Sequence, residues 1–172
     1  MLLRLTKLID SPGQSVSFQT SLDLSGLEFG GVELAAEPVE ASGQVKNTAG
    51  VLLLTAELST TLHCVCDRCA KPFCQPFRLP VNAVLTASEE EDGESDDQWT
   101  FSLTDDCADL DEILTTAFVF GVPAKLLCSE DCKGLCPVCG ADLNEGPCGC
   151  QKPVDPRLAA LAQWRKAPEP NS

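Results

Sequence analysis

The sequence predicts an α+β protein: an antiparallel, β-rich N-terminal part with one main helix, a cysteine-rich C-terminal segment and a short terminal helix. Three observations carry this. Apolar residues alternate with polar ones through much of residues 1–87, the period of a half-buried strand. Leu110, Ile113, Leu114, Ala117 and Phe118 recur at helical spacing. The stretch from Leu127 to Gln151 holds six of the eleven cysteines.

Leu3, Leu5 and Leu8-Ile9, set among Arg4, Thr6 and Lys7, predict an opening strand that ends at Asp10-Ser11-Pro12-Gly13. Val16 and Phe18 alternate with serines in a second extended piece. Two longer strands are expected over Val39–Lys46 and Val51–Leu62, joined by a hairpin turn at Asn47-Thr48-Ala49-Gly50. Leu52, Leu54, Ala56, Leu58 and Leu62 would share one face. Phe77–Ala87 reads as the returning strand, which puts Cys66-Asp67-Arg68-Cys69 at a hairpin tip.

Ser88 to Asp97 carries seven carboxylates and no base, half of the net charge of −14, and is expected to stay a solvated loop because like charges repel. Trp99–Leu103 suits a short strand. Thr104-Asp105-Asp106 then offers capping side chains and carboxylates for a helix over about 106–120, which Gly121-Val122-Pro123 ends. Asp155-Pro156 opens a terminal helix with Leu158, Leu161 and Trp164 as its stripe. The division is therefore a β-rich core over 1–126, a cysteine-rich segment over 127–151 packed on it, and a helix and tail over 152–172, together one compact domain.

At 172 residues the chain is long enough for one core. Aromatics are only 5% with no tyrosine, so Leu, Val and Ala must build it. No apolar run approaches a membrane span and the N-terminus has no export signal, so a cytoplasmic location is expected. In a reducing compartment these cysteine spacings read as metal ligands rather than disulfides, and an odd total cannot pair completely.

Cys66-x-x-Cys69 and Cys136-Pro137-Val138-Cys139-Gly140 have the form of zinc knuckles, in which two thiolates two residues apart converge on one ion. With Cys128, Cys132, Cys148 and Cys150 they allow two structural zinc ions. The preferred partition places Cys66, Cys69, Cys128 and Cys132 on one and Cys136, Cys139, Cys148 and Cys150 on the other. The competing grouping joins the two knuckles, Cys66/Cys69 with Cys136/Cys139. Four thiolates leave no open coordination position, so such sites are structural rather than catalytic.

Half of the bases lie near the cysteines: Arg68, Lys71, Arg78, Lys125, Lys133 and Lys152. Of these, Arg68, Lys71, Arg78 and Lys133 are candidate contacts to phosphate or to a partner. The competing reading is that the bases offset the formal −2 charge of each tetrathiolate. His63 adjoins Cys64, but neighbouring strand residues point to opposite faces. No phosphate-binding loop, dinucleotide glycine pattern or nucleophile elbow is present, so no catalytic residue, small-molecule substrate or enzyme activity is expected.

Cys66-Asp67-Arg68-Cys69-x-x-Pro72-Phe73, Asp109-Leu110-Asp111-Glu112-Ile113, Leu127-Cys128-x-x-x-Cys132-Lys133-Gly134-Leu135-Cys136-Pro137-Val138-Cys139-Gly140-x-x-Leu143-Asn144 and Asp155-Pro156-Arg157-Leu158 resemble, in this order, the YceD family. The resemblance implies a non-enzymatic ribosome-biogenesis factor that supports accumulation or processing of large-subunit ribosomal RNA. Its partners would be ribosomal RNA precursor or ribosome-assembly proteins. Cys64, Cys74 and Cys107 match none of these motifs. A zinc- or redox-responsive regulatory protein is the alternative, since paired thiolates and spare cysteines permit oxidation.

Overall fold

The computed structural model describes residues 1–29, 32–33, 35, 37–86 and 99–150. The expected acidic loop and terminal helix lie outside the described residues. The chain divides into two units: residues 1–65 with 72–126, and residues 66–71 with the segment from 127 onward.

In the first unit β1 (Leu2–Arg4), α1 (Thr6–Ile9), β2 (Ser15–Leu22), β3 (Glu28–Phe29), β4 (Val32–Glu33), β5 (Val39–Thr48), β6 (Val51–Val65), β7 (Pro72–Thr86), β8 (Trp99–Ser102), β9 (Cys107–Asp109) and α2 (Leu110–Gly121) follow one another. Five strands form the main sheet in the order β2-β5-β6-β7-β8. Its pairs are antiparallel except β7 with β8, which run parallel with Ala83 opposite Trp99. β1 pairs with β9 and β3 with β4.

β6 and β7 are 15 residues each and form one long hairpin. Alternation explains the strand: Leu52, Leu54, Leu58 and Leu62 are buried on one face of β6, each contributing about 1.5–3 kcal/mol. The apolar stripe of α2, Leu110, Ile113, Leu114, Ala117 and Phe118, belongs to the same buried cluster. Phe77 meets Phe118 edge to face at 5.8 Å.

Two expectations are corrected. The opening strand stops at Arg4 because β9 offers only three partners, Cys107 to Asp109. Thr6–Ile9 forms a helical turn instead, and the reason is spacing: Leu5 and Leu8 are both buried, yet in a strand residues three apart would face opposite sides. The main helix begins at Leu110 rather than near 106. Residues 107–109 are taken by β9, so Asp109 is the cap and its Oδ1 accepts from the Asp111 amide at 3.0 Å. Thr104 and Cys107 instead close a tight turn in which Asp105 and Asp106 have φ of 50° and 59°.

Asn47, near the end of β5, is the buried polar residue among the described residues, with 0% exposure. Its Nδ2 donates to the carbonyls of Leu8 (2.8 Å) and Ile9 (3.0 Å), and its Oδ1 accepts from the Gly50 amide at 2.9 Å. One side chain therefore ties α1 to the β5–β6 turn. Asn47→Ala is expected to destabilise the fold by about 2–3 kcal/mol, since it takes a partner from the Ile9 carbonyl and the Gly50 amide and leaves the Leu8 carbonyl only the Ser11 amide at 3.1 Å. Urea denaturation would read this as a lower midpoint at unchanged slope, and an unchanged midpoint would refute the role.

Candidate metal centres

The second unit is organised by two turns of the same construction. In the first, the Cys66 amide donates to Lys71 O (3.0 Å) and the Ala70 amide to Cys66 O (2.8 Å). In the second, the Cys136 amide donates to Ala141 O (2.8 Å) and the Gly140 amide to Cys136 O (2.8 Å). The residue after the second cysteine is left-handed in both, Ala70 at φ 56° and Gly140 at φ 71°. Glycine adopts that conformation without strain, and alanine does so at a cost. The repeated geometry follows from Cys-x-x-Cys: the chain must reverse within two residues to bring both sulfurs to one side.

The structure brings together Cys66, Cys69, Cys128 and Cys132 in one group, and Cys136, Cys139, Cys148 and Cys150 in another. Within each group all Sγ atoms lie within 4.8 Å of one another. In the first, Cys66 is 3.8 Å from Cys132 and Cys69 is 3.7 Å from Cys128. A tetrahedral ion with metal–sulfur bonds of about 2.3 Å requires sulfurs about 3.8 Å apart. The donor set and its spacing therefore fit a metal ion. None of the eleven cysteines, all of which are described, forms a disulfide.

Ionisation in the groups is uneven. The Cys128 backbone, then those of Cys69 and Arg68, hold the Cys66 thiol down at about 6 against the opposing effect of burial. Cys136 is likewise lowered to about 6, chiefly by the backbones of Cys139 and Val138, and the Val138 amide lies 3.4 Å from its sulfur. Cys69, Cys128, Cys148 and Cys150 respond in the opposite sense. Cys66 and burial push Cys128 up to about 12, and Cys139 and burial push Cys150 up to about 12. Sulfurs this close cannot all ionise alone, whereas a divalent cation reverses the balance and deprotonates its ligands.

Arg68, expected as a partner contact, is engaged inside the unit. Its Nη1 donates to Cys132 O at 2.7 Å and Glu130 O at 3.1 Å, and its own carbonyl accepts from the Leu135 amide at 3.0 Å. Gly134 allows that approach: its φ is +75°, and a Cβ there would lie 2.8 Å from Arg68 O. Lys71 Nζ lies 2.6 Å from Asp142 Oδ2 and 3.0 Å from Glu145 Oε1. Asp142 and then Glu145 raise the lysine's affinity for its proton, while Lys71 and then the Asn144 amide hold Asp142 below the usual carboxylate range. Arg78, in the first unit, approaches Glu57 at 3.8 Å on an exposed surface. The Lys133 side chain stands in an exposed residue while its amide donates to Asn144 Oδ1 at 2.8 Å.

Sequence reasoning assigned no task to Asn144, although Leu143-Asn144 was among the motif residues. Its Nδ2 lies 3.5 Å from Cys132 Sγ and 2.8 Å from Asp142 Oδ1, so it links a metal-ligand candidate to the Lys71 ion pair.

A β-rich protein carrying two all-cysteine groups of metal-binding geometry is the class that fold and site define. The family model described as "Large ribosomal RNA subunit accumulation protein YceD" matches residues 54–164, and the chain belongs to that family. All eight grouped cysteines lie within the match. Uncharacterized proteins of Mycobacterium bovis and of two Mycobacterium tuberculosis strains are each 26% identical over 128 residues, 70% of this chain. The chain spans 58% of the length of these curated relatives. No solved structure matches it.

Cys66→Ser is expected to remove one metal ion and leave the group at Cys136 filled; loss of both ions or of neither, by elemental analysis, would refute independent centres. Arg68→Ala and Asn144→Ala should weaken metal binding at the first group about 10–100-fold, the usual effect of losing groups that orient ligands. Chelator competition would measure this, with the second group as internal control.

Proposed function

We propose that the protein is a non-catalytic ribosome-biogenesis factor that supports accumulation of large-subunit ribosomal RNA, with two structural zinc ions organising its second unit. The observation that carries the reading is the family match over residues 54–164, which contains both cysteine tetrads. Zinc is the ion whose tetrahedral all-thiolate preference and bond length suit these sulfurs. When bound it would supply cohesion rather than chemistry, because four thiolates leave no open position for a substrate.

The partner is a basic protein of ribosome assembly. Among residues 66–71 and 127–150 there are five carboxylates and three bases, and two zinc tetrathiolates would add formal negative charge. Arg68 and Lys71 are occupied within the unit, whereas Arg78 makes a long, exposed contact to Glu57 at 3.8 Å and Lys133 is exposed. A chain of net charge −14 opposes phosphate and attracts a basic surface. The action is cytoplasmic in this reading, and among the described residues no helix is long and apolar enough to cross a membrane.

Protein purified without chelator is expected to contain about two zinc ions per chain, each with apparent binding energy on the order of 10–16 kcal/mol. Elemental analysis finding iron in zinc's place, or no metal, would overturn the zinc assignment. Cells lacking the protein should accumulate less large-subunit ribosomal RNA, or more of its precursor, with a smaller effect on the small subunit. Crosslinking in cells distinguishes the partners: attached basic assembly proteins support the reading, and attached RNA alone replaces it with direct RNA binding. Unchanged ribosomal RNA in the deletion strain, together with zinc loss under mild peroxide, would favour the zinc- or redox-responsive regulator.

A further inference from the structure

Three cysteines stand outside the two tetrads, and they differ. Cys64 is buried and Cys107 half-buried, whereas Cys74 on β7 is exposed. Directly across the β6–β7 ladder from Cys74 is His63, the only histidine of the chain. The Cys74 sulfur lies 3.6 Å from His63 Nδ1.

The ladder fixes this proximity. Pro72, Pro76 and Pro80 alternate in step with Cys74 along β7, opposite Val65, Thr61 and Glu57. Proline has no N–H to give, so these positions are the ones whose ladder hydrogen bonds do not point at β6. His63 and Cys74 fall in the same alternation and form a non-hydrogen-bonded pair, the geometry with the closer approach, Cα atoms about 4.5 Å apart. The imidazole is thus set beside the thiol by strand register.

We propose that Cys74 is a modification site for low-molecular-weight disulfides, with His63 as its proton acceptor. The Cys74 sulfur attacks one sulfur of the small disulfide as its proton passes to His63 Nδ1. A Cys74–sulfur bond forms, the small molecule's sulfur–sulfur bond breaks, and the released thiolate takes the proton from the imidazolium. The products are a mixed disulfide on the outward face of the hairpin and one small thiol. The exchange needs no other oxidant, and excess small thiol reverses it. The role of His63 arises across the strands, where its sequence neighbour Cys64 points to the opposite face.

The test treats the full chain, purified without chelator, with glutathione disulfide and follows each cysteine by mass spectrometry. Cys74 is expected to form the adduct first, with Cys107 lagging and metal content unchanged. His63→Gln removes the base set beside the sulfur and should slow the Cys74 adduct about tenfold, and Cys74→Ser should abolish the fast phase. Equal rates at Cys74 and Cys107 in the unaltered protein would overturn the site without recourse to any variant. An undiminished Cys74 rate in His63→Gln would overturn the role of the histidine.

Discussion

Mutual repulsion among four sulfurs held within 4.8 Å of one another is the constraint to which the second unit answers. A thiolate is stable there only beside backbone amides or a cation. Cys66 and Cys136 receive the amides, and each is the first cysteine of a Cys-x-x-Cys turn. For Cys136 the amides are those of its own turn, Cys139 and Val138; for Cys66 the Cys128 backbone comes first and the turn's Cys69 and Arg68 add to it. Cys69, Cys128, Cys148 and Cys150 hold their protons more tightly than an ordinary thiol, so binding of a metal ion would release protons and depend on pH. Backbone amides therefore prepare one ligand per group, and a bound metal ion would organise the remaining three.

Polar side chains in this unit serve the same end. Arg68 satisfies two carbonyls in the segment bearing Cys132, Asn144 reaches the Cys132 sulfur, and Lys71 anchors Asp142 beside Asn144. Both bonds come from Arg68 Nη1, and turning that nitrogen toward phosphate would take a donor from both carbonyls. Basic residues near cysteines are thus consistent with holding the centres together, and the acidity of the remaining surface becomes the property a partner would meet.

The sequence announced the features that depend on local repetition. Alternation identified the β6–β7 hairpin, helical spacing identified the inner face of α2, and cysteine spacing singled out the residues that the structure gathers into two groups. It did not announce features that depend on a partner strand. Leu3 to Ile9 looks like a strand until β9 is seen to supply three pairing residues, after which Leu5 and Leu8 are buried by a helical turn. Thr104 to Asp106 looks like a cap, but β9 delays the helix and gives that task to Asp109. Arg68 carries the same sequence signal whether it faces phosphate or a carbonyl, and Asn144 carries almost none.

The two groups also differ in what they demand of the chain. Cys136 to Cys150 is a single short segment, and its longest internal step joins Cys139 to Cys148. Cys69 and Cys128 meet across 59 residues. Closing the longer loop in an unfolded chain costs only about 1.7 kcal/mol more than closing a nine-residue one, because the penalty grows with the logarithm of length. That difference is small beside the binding energy of a structural zinc ion, on the order of 10–16 kcal/mol. Loop length alone would not prevent the first group from binding early. What separates them is orientation: Arg68 must reach the carbonyls of Glu130 and Cys132, and Leu135 must meet the Arg68 carbonyl past Gly134. These contacts join segments remote in sequence, so the first group requires tertiary structure for its full affinity, whereas the second can gather its ligands from one stretch of chain.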